Sequence, residues 1–286
     1  MKKLISLFVC ISLLCLSCAA LADGKVTPPA ETAVTTIAQA VEDVNGDGAA
    51  DTVTLTGKQV PDAVSVENLS LTVKDGATGE TTDVALAENA GYAPQLWIGA
   101  LTGEEKNDIF VSTASGGSGG YSYYSVFTFK DGAYAPIFDT ESFNAENAYT
   151  VVYQDNELVA VTNVATGVRY LVSLSGREAH YLSGLYNEDG TLKTATEGEV
   201  YPLGNLYPVD IDADGVYELV AVQDVCGLYH ADVLGRVLTV LNWDGEAYAA
   251  AMTALAVAGV QPVEDEASEP VTLPAPEGEE AKPVVG

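Results

Sequence analysis

Three short stretches of the chain share one layout, and they constrain the fold more than any other feature. "DVNGDGAADTVTL" runs from Asp43, "ALTGEEKNDIFVS" from Ala100 and "DIDADGVYELVAV" from Asp210. Each has apolar residues just upstream, then a turn rich in Gly and acidic residues. An acidic residue follows at the ninth position, and then an apolar run. The stretch from Ala100 to Asp210 is almost twice as long as that from Asp43 to Ala100, as if one unit between them lacked its loop. A second marker keeps pace with the first. Lys74-Asp75-Gly76, Lys130-Asp131-Gly132 and Trp243-Asp244-Gly245 each set a D-G turn inside an alternating apolar stretch, which is a hairpin signal. The turn aspartates follow the loop starts at nearly the same offset each time. Two markers that keep one offset imply repeated supersecondary units with a period of roughly 50–60 residues.

Each unit reads as four strands. In the second they are 95–101, 108–114, 123–130 and 133–138. The unit in the gap, 149–200, has hairpin-like strands ("YTVVY", "ELVAVTN", "VRYLVSL") but no acidic loop, and it carries one helix near Arg177 to Tyr186. The expected fold is all-β: repeated four-stranded antiparallel units, β-propeller-like, with about four blades. An incomplete ring and a β-sandwich-like stack are the alternatives.

The first acidic loop places Asp43, Asn45, Asp47 and Asp51 at positions 1, 3, 5 and 9, with Gly48 at position 6. The loop from Asp210 places Asp210, Asp212, Asp214 and Glu218 likewise, with Gly215 at position 6. Alternate oxygen ligands around a tight turn wrap a hard cation. The glycine permits the bend, and the carbonyl at position 7 (Ala49, Val216) adds a ligand. Ca²⁺ fits such a loop better than Mg²⁺, which demands a rigid octahedron and keeps its waters. An EF-hand would need a helix after the loop and a Glu at position 12, where this chain has Thr54 and Ala221. "DTVTLTG" and "ELVAVQD" are β-rich instead, so the loops are strand-flanked.

The pattern D-x-[DN]-x-D-G-x-x-[DE] between two strands resembles the FG-GAP/VCBS repeats of integrin-like β-propellers and many secreted bacterial proteins. The periodic markers extend the resemblance over about 34–255. It implies Ca²⁺ held within the blades by Asp43, Asn45, Asp47 and Asp51 and by Asp210, Asp212, Asp214 and Glu218. The loop from Ala100 departs from the pattern, keeping only Glu104 and Asp108, and is expected to be empty.

The N-terminus, "MKKLISLFVCISLLCLSCAALADG", has the positive head, short apolar stretch and Ala20-Leu21-Ala22 cleavage site of a secretory signal peptide. The domain reading is therefore 1–22 signal, 23–33 linker, 34–262 β-repeat domain and 263–286 tail. The tail is acidic and proline-rich without an aromatic residue, and it reads as disordered. Lipidation at Cys18 is the competing fate, disfavoured because leucine is missing from the third position upstream. Cleavage would leave Cys226 as the sole cysteine, so the fold cannot rest on an internal disulfide. Without Lys2 and Lys3, ten basic residues face 41 acidic ones, a net of −31. Such a surface repels nucleic acid and anionic membrane, and favours cations. The expected partners are calcium and an extracellular glycan or protein ligand, with no membrane span and a monomeric state.

Gly116-Gly117-Ser118-Gly119-Gly120 matches the esterase pattern G-x-S-x-G. A nucleophile elbow needs a helix after the serine, yet "YSYYSVFTFK" reads as a strand. Cys226 and His230, four apart with Asp232 nearby, could suggest a soft-metal site, but at that spacing on a strand or loop a structural role is favoured. Tyr121, Tyr123 and Tyr124 read as packing rather than as a ligand platform. The expectation is an exported, non-catalytic calcium-binding module of the cell envelope or extracellular space. A secreted hydrolase using the Ser118 loop, or a carboxylate pair, is the competing class.

Overall fold

The computed structural model describes residues 33–59 and 63–259; the expected signal, nearly all of the expected linker, and the expected tail from 263 lie outside these. Where a strand covers a core on one face, its sequence alternates. β2 (Asp51–Gln59) buries Asp51, Val53, Leu55 and Gly57 and leaves the threonines between them half-buried. β14 (Glu218–Cys226) buries Leu219, Ala221, Gln223 and Val225 in the same way. Period-two burial of this kind is what a pleated strand imposes.

The strands form two antiparallel sheets of eight. The first holds β1 (Val34–Glu42), β2, β3 (Ser65–Lys74), β4 (Thr81–Val84), β5 (Gly91–Gly99), β6 (Asp108–Ala114), β7 (Ser122–Lys130) and β8 (Ala133–Asp139). Its two halves are joined by a short ladder in which Ser65 and Val66 pair with Tyr92 and Gly91. The second holds β9 (Tyr149–Gln154), β10 (Leu158–Asn163), β11 (Arg169–Ser173), β12 (Glu197–Val200), β13 (Asn205–Val209), β14, β15 (Val233–Trp243) and β16 (Tyr248–Ala256). Its order is β11-β10-β9-β12-β14-β15-β16, with β13 also on β14. β12 joins the halves through two-residue pairings on either side. The all-β expectation holds. The strands lie in two antiparallel sheets, in each of which short ladders stitch neighbouring meanders together.

Three apolar clusters make the core. One lies on a face of the first sheet, with Val53, Leu55, Leu71, Ile109 and Phe127. A second lies between the sheets, with Phe110, Tyr124, Val126 and Phe138 against Leu206, Leu219 and Leu241. The third, with Tyr153, Val159, Val161, Val225 and Val237, belongs to the second sheet. β6 serves the first two clusters from opposite faces, and so reads as a continuous apolar run.

The second sheet curls until its two edges nearly meet. The Tyr170 hydroxyl on β11 donates to the Thr253 carbonyl on β16 at 3.1 Å. Two short helices sit among the described residues. α1 (Thr140–Glu146) is capped by Asp139, whose side chain accepts from the Ser142 N–H, and it buries Phe143. α2 (Ala179–Leu185) is the helix expected near 177–186. Buried Asp232 anchors it: Tyr181 donates to its Oδ2 at 2.7 Å, and the Arg177 guanidinium lies 3.2 Å from Oδ1.

Candidate metal centre

The acidic loops span β1 to β2 and β13 to β14, and several of their hydrogen bonds recur at the same positions. At position 1, Asp43 Oδ2 accepts from Gly48 N at 2.8 Å and Asp210 Oδ2 from Gly215 N at 3.1 Å. At position 5, Asp47 Oδ1 accepts from Ala49 N and Asp214 Oδ1 from Val216 N, each at 2.7 Å. Gly48 (φ +84°) and Gly215 (φ +91°) both take the left-handed backbone that the tight bend needs. The two segments therefore form the same loop.

The ninth-position acids stand apart from the rest. Asp51, fully buried, accepts from Val44 N at 3.0 Å through Oδ2 and from Gly76 N at 2.9 Å through Oδ1. Glu218 accepts from Ile211 N at 3.0 Å. In the loop from Ala100, buried Asp108 accepts from Leu101 N at 2.9 Å. Each of the three acids opens a strand and takes the N–H of the residue seven before it. They are struts that close the loops. Gly76 explains why the D-G turn keeps its offset in the first unit: a Cβ there would run into the Ala50 carbonyl, so the turn fits beneath the loop only as glycine.

The three loops sit side by side. Asn107 N donates to the Asp43 carbonyl at 3.0 Å, and Tyr217 N to the Ala100 carbonyl at 2.8 Å. The side chain of Lys106 runs over Gly46 and ends on Glu104. The middle loop thus carries an ammonium of its own beside the one acid it keeps at position 5. Among the described residues, the carboxylates that converge to within 4.8 Å of one another are those of Asp210, Asp212 and Asp214. Asp43, Asn45 and Asp47 present two carboxylates and an amide in the equivalent places. The negative field reaches Tyr134, whose phenol is pushed up first by burial and then by the charges of Asp51, Asp75, Asp43 and Asp47.

Hard oxygen donors at alternate positions around a glycine bend suit Ca²⁺. With Asp51 buried on two backbone N–H groups and Glu218 outside the cluster of Asp210, Asp212 and Asp214, the loops offer their side chains at positions 1, 3 and 5 and the carbonyl at 7.

The surroundings of the other candidate residues are these. Exposed Ser118 lies in a turn that leads straight into β7. The Cys226 thiol donates to the His230 carbonyl at 3.2 Å, while the His230 ring packs 4.4 Å from that of Tyr201. Burial, followed by the nearby carboxylates, pushes that thiol up to about 11. Tyr124 is buried, and its hydroxyl donates to the Gly204 carbonyl at 3.0 Å, joining the two sheets. One repeat of the turn chemistry was missed. Asn163 accepts from Ala165 N and Thr166 N just as Asp75 accepts from Ala77 N and Thr78 N. The shared Ala-Thr-Gly at 77–79 and 165–167 is the signal that would have found it.

Fold and site together define an all-β protein of two antiparallel sheets with strand-flanked acidic loops. Residues 147–256 match the YybI C-terminal domain, a span that coincides with the second sheet and includes the loop from Asp210. The chain is also 41% identical over 206 residues to the protein YybI of Bacillus subtilis (strain 168), covering 72% of this chain and 79% of that one. It belongs to the YybI family. No solved structure matches it.

Proposed function

We propose that the chain is an exported, non-catalytic calcium-binding protein that acts as a binding or adhesion-type module at the cell envelope or outside the cell. The observation that carries this reading is the repeated loop: two segments far apart in sequence with oxygen-bearing side chains at the same positions, the same glycine bend and recurring backbone bonds at positions 1 and 5. Ca²⁺ is held by Asp43, Asn45, Asp47 and the Ala49 carbonyl, and by Asp210, Asp212, Asp214 and the Val216 carbonyl. Asp51 and Glu218 keep the loops closed. Affinity belongs to the weak class of extracellular modules, Kd about 10⁻⁴–10⁻³ M, because few ligands come from the protein. The kinship with FG-GAP/VCBS repeats is part of the same reading, as is its finer form, a four-unit propeller-like arrangement. Both are supported by the constant spacing of loop and D-G turn. The non-catalytic reading is supported by a Ser118 turn followed by a strand and a Cys226 thiol held protonated.

The metal's role is structural, neutralising clustered carboxylates. At ten times Kd each site adds about 1.4 kcal/mol to stability. For two sites that raises the melting temperature by roughly 5–10 °C between chelated and Ca²⁺-loaded protein. An identical melting temperature in the two conditions would refute the proposal.

A further inference from the structure

Sheet edges invite pairing with other chains, and folded proteins blunt them with charges, prolines, bulges or short strands. Among the described residues six strands pair on one side only, and five of them are blunted: β4 is four residues long and holds Asp83, and β13 contains Pro208. β1 carries a bulge at Ile37 and ends in Glu42. β8 contains Pro136 and runs into α1. β11 is five residues long and begins with Arg169. β16 differs. Its nine residues, "YAAAMTALA", include no charge and no proline, and its one defence is a bulge opposite Val240 and Leu241. Ala249 to Met252 are exposed, with Met252 at 56%.

Beside this edge lies a groove of about 770 Å³, walled by β16, β8 and α1, and β11 with its preceding turn. At the Tyr170–Thr253 contact a whole tyrosine side chain and a hydrogen bond separate the two backbones. The alanines of β16 let a second backbone approach closely. The charged residues lining the groove are Asp139, Glu146 and Glu246, with no lysine or arginine among them, and aromatic rings supply its apolar surface.

We propose that β16 is a docking strand: an extended, basic segment of a partner protein pairs with its outer edge, displacing the Tyr170 hydroxyl from the Thr253 carbonyl, and lies in the groove, its cationic side chains meeting Glu146 and Glu246. Main-chain bonds supply affinity in such strand addition, and the alternate side chains supply specificity. Charge decides the occupant. A second copy would set a chain of net charge −29 against itself. The chain's own segment from Val263 carries seven acidic residues and one lysine. This proposal rests on the reading of the protein as a binding module and requires nothing of the calcium loops.

The test is fluorescence anisotropy with labelled decapeptides of alternating lysine and valine or glutamate and valine, with and without Ca²⁺. The lysine peptide binds saturably, and the glutamate peptide binds at least about tenfold more weakly. The Thr253 carbonyl faces outward to Tyr170, so its N–H does too, and Thr253→Pro removes an edge donor at a position where proline is tolerated. That variant weakens the lysine peptide about tenfold or more at unchanged circular dichroism. Glu146→Lys with Glu246→Lys, which alters only exposed charges, reverses the peptide preference. Equal binding of both peptides, or binding untouched by either variant, overturns the proposal. So does a dimer that Thr253→Pro dissolves, or slow amide exchange along β16 in the free monomer, since each names another occupant. Failure of the peptides alongside an intact calcium response refutes the docking strand and leaves the metal reading standing.

Discussion

At the scale of single residues, the chemistry of Cys226 is decided by where its side chain lies. It is 1% exposed, its S–H is on the His230 carbonyl, and burial followed by Asp224, Asp232 and Glu199 raises its pKa to about 11. The thiol has a higher pKa folded than unfolded, where about 8.5 is normal. It therefore contributes stability that is complete below about pH 8.5 and is lost as pH rises toward about 11. Urea midpoints followed upward through this window fall more steeply for the parent than for Cys226→Ala, which lacks the titrating group. Parallel curves would contradict this assignment. Sequence alone favoured a structural role for Cys226, and that much was legible. The hydrogen bond was not, because nothing in "CGLYHAD" shows that the His230 backbone, rather than its ring, faces the sulfur.

At the scale of elements, the acidic loops are held shut by a carboxylate at the start of the following strand. Asp51 is wholly buried, and its loss leaves two backbone N–H groups unpaired, those of Val44 and Gly76. Asp51→Ala therefore costs on the order of 2–4 kcal/mol. Glu218→Ala costs under about 1 kcal/mol, since the one bond it makes, to Ile211 N, is exposed to water. Equal losses in denaturant unfolding would contradict the strut role. Loop, turn and strand were readable because each leaves a local mark: Asp and Gly at fixed spacing, D-G in an alternating run, period-two burial. Asp131 and Gly132, with φ of 53° and 81°, form the two-residue hairpin that their sequence predicts. The division of labour within the loop was hidden. In sequence Asp51 is a fourth oxygen in a row, and only the fold turns it from the open side of the loop to the backbone. α1 escaped notice for another reason: seven residues with Phe143 as their one large buried side chain show no helical period.

At the scale of the molecule, strand pairing between units escaped the sequence because the joining ladders are two residues long at Ser65–Val66 and on either side of β12. Such contacts carry no pattern of their own, so units that read as repeats gave no sign of their assembly into two sheets. The charge of the whole chain was legible from the start, and it gives the loops their meaning. A protein with 41 acidic residues and 12 basic ones gathers carboxylates into three adjacent turns, and the middle one supplies Lys106. The outer two carry no lysine or arginine within the loop, and under the calcium proposal an ion from solution serves them. Calorimetric titration with Ca²⁺ is the decisive measurement. The expected result is one ion per complete loop, two in all, falling to one when Asp210→Ala or Asp43→Ala removes either loop's first ligand. Absence of binding heat, or a stoichiometry unchanged by both substitutions, would contradict the calcium proposal.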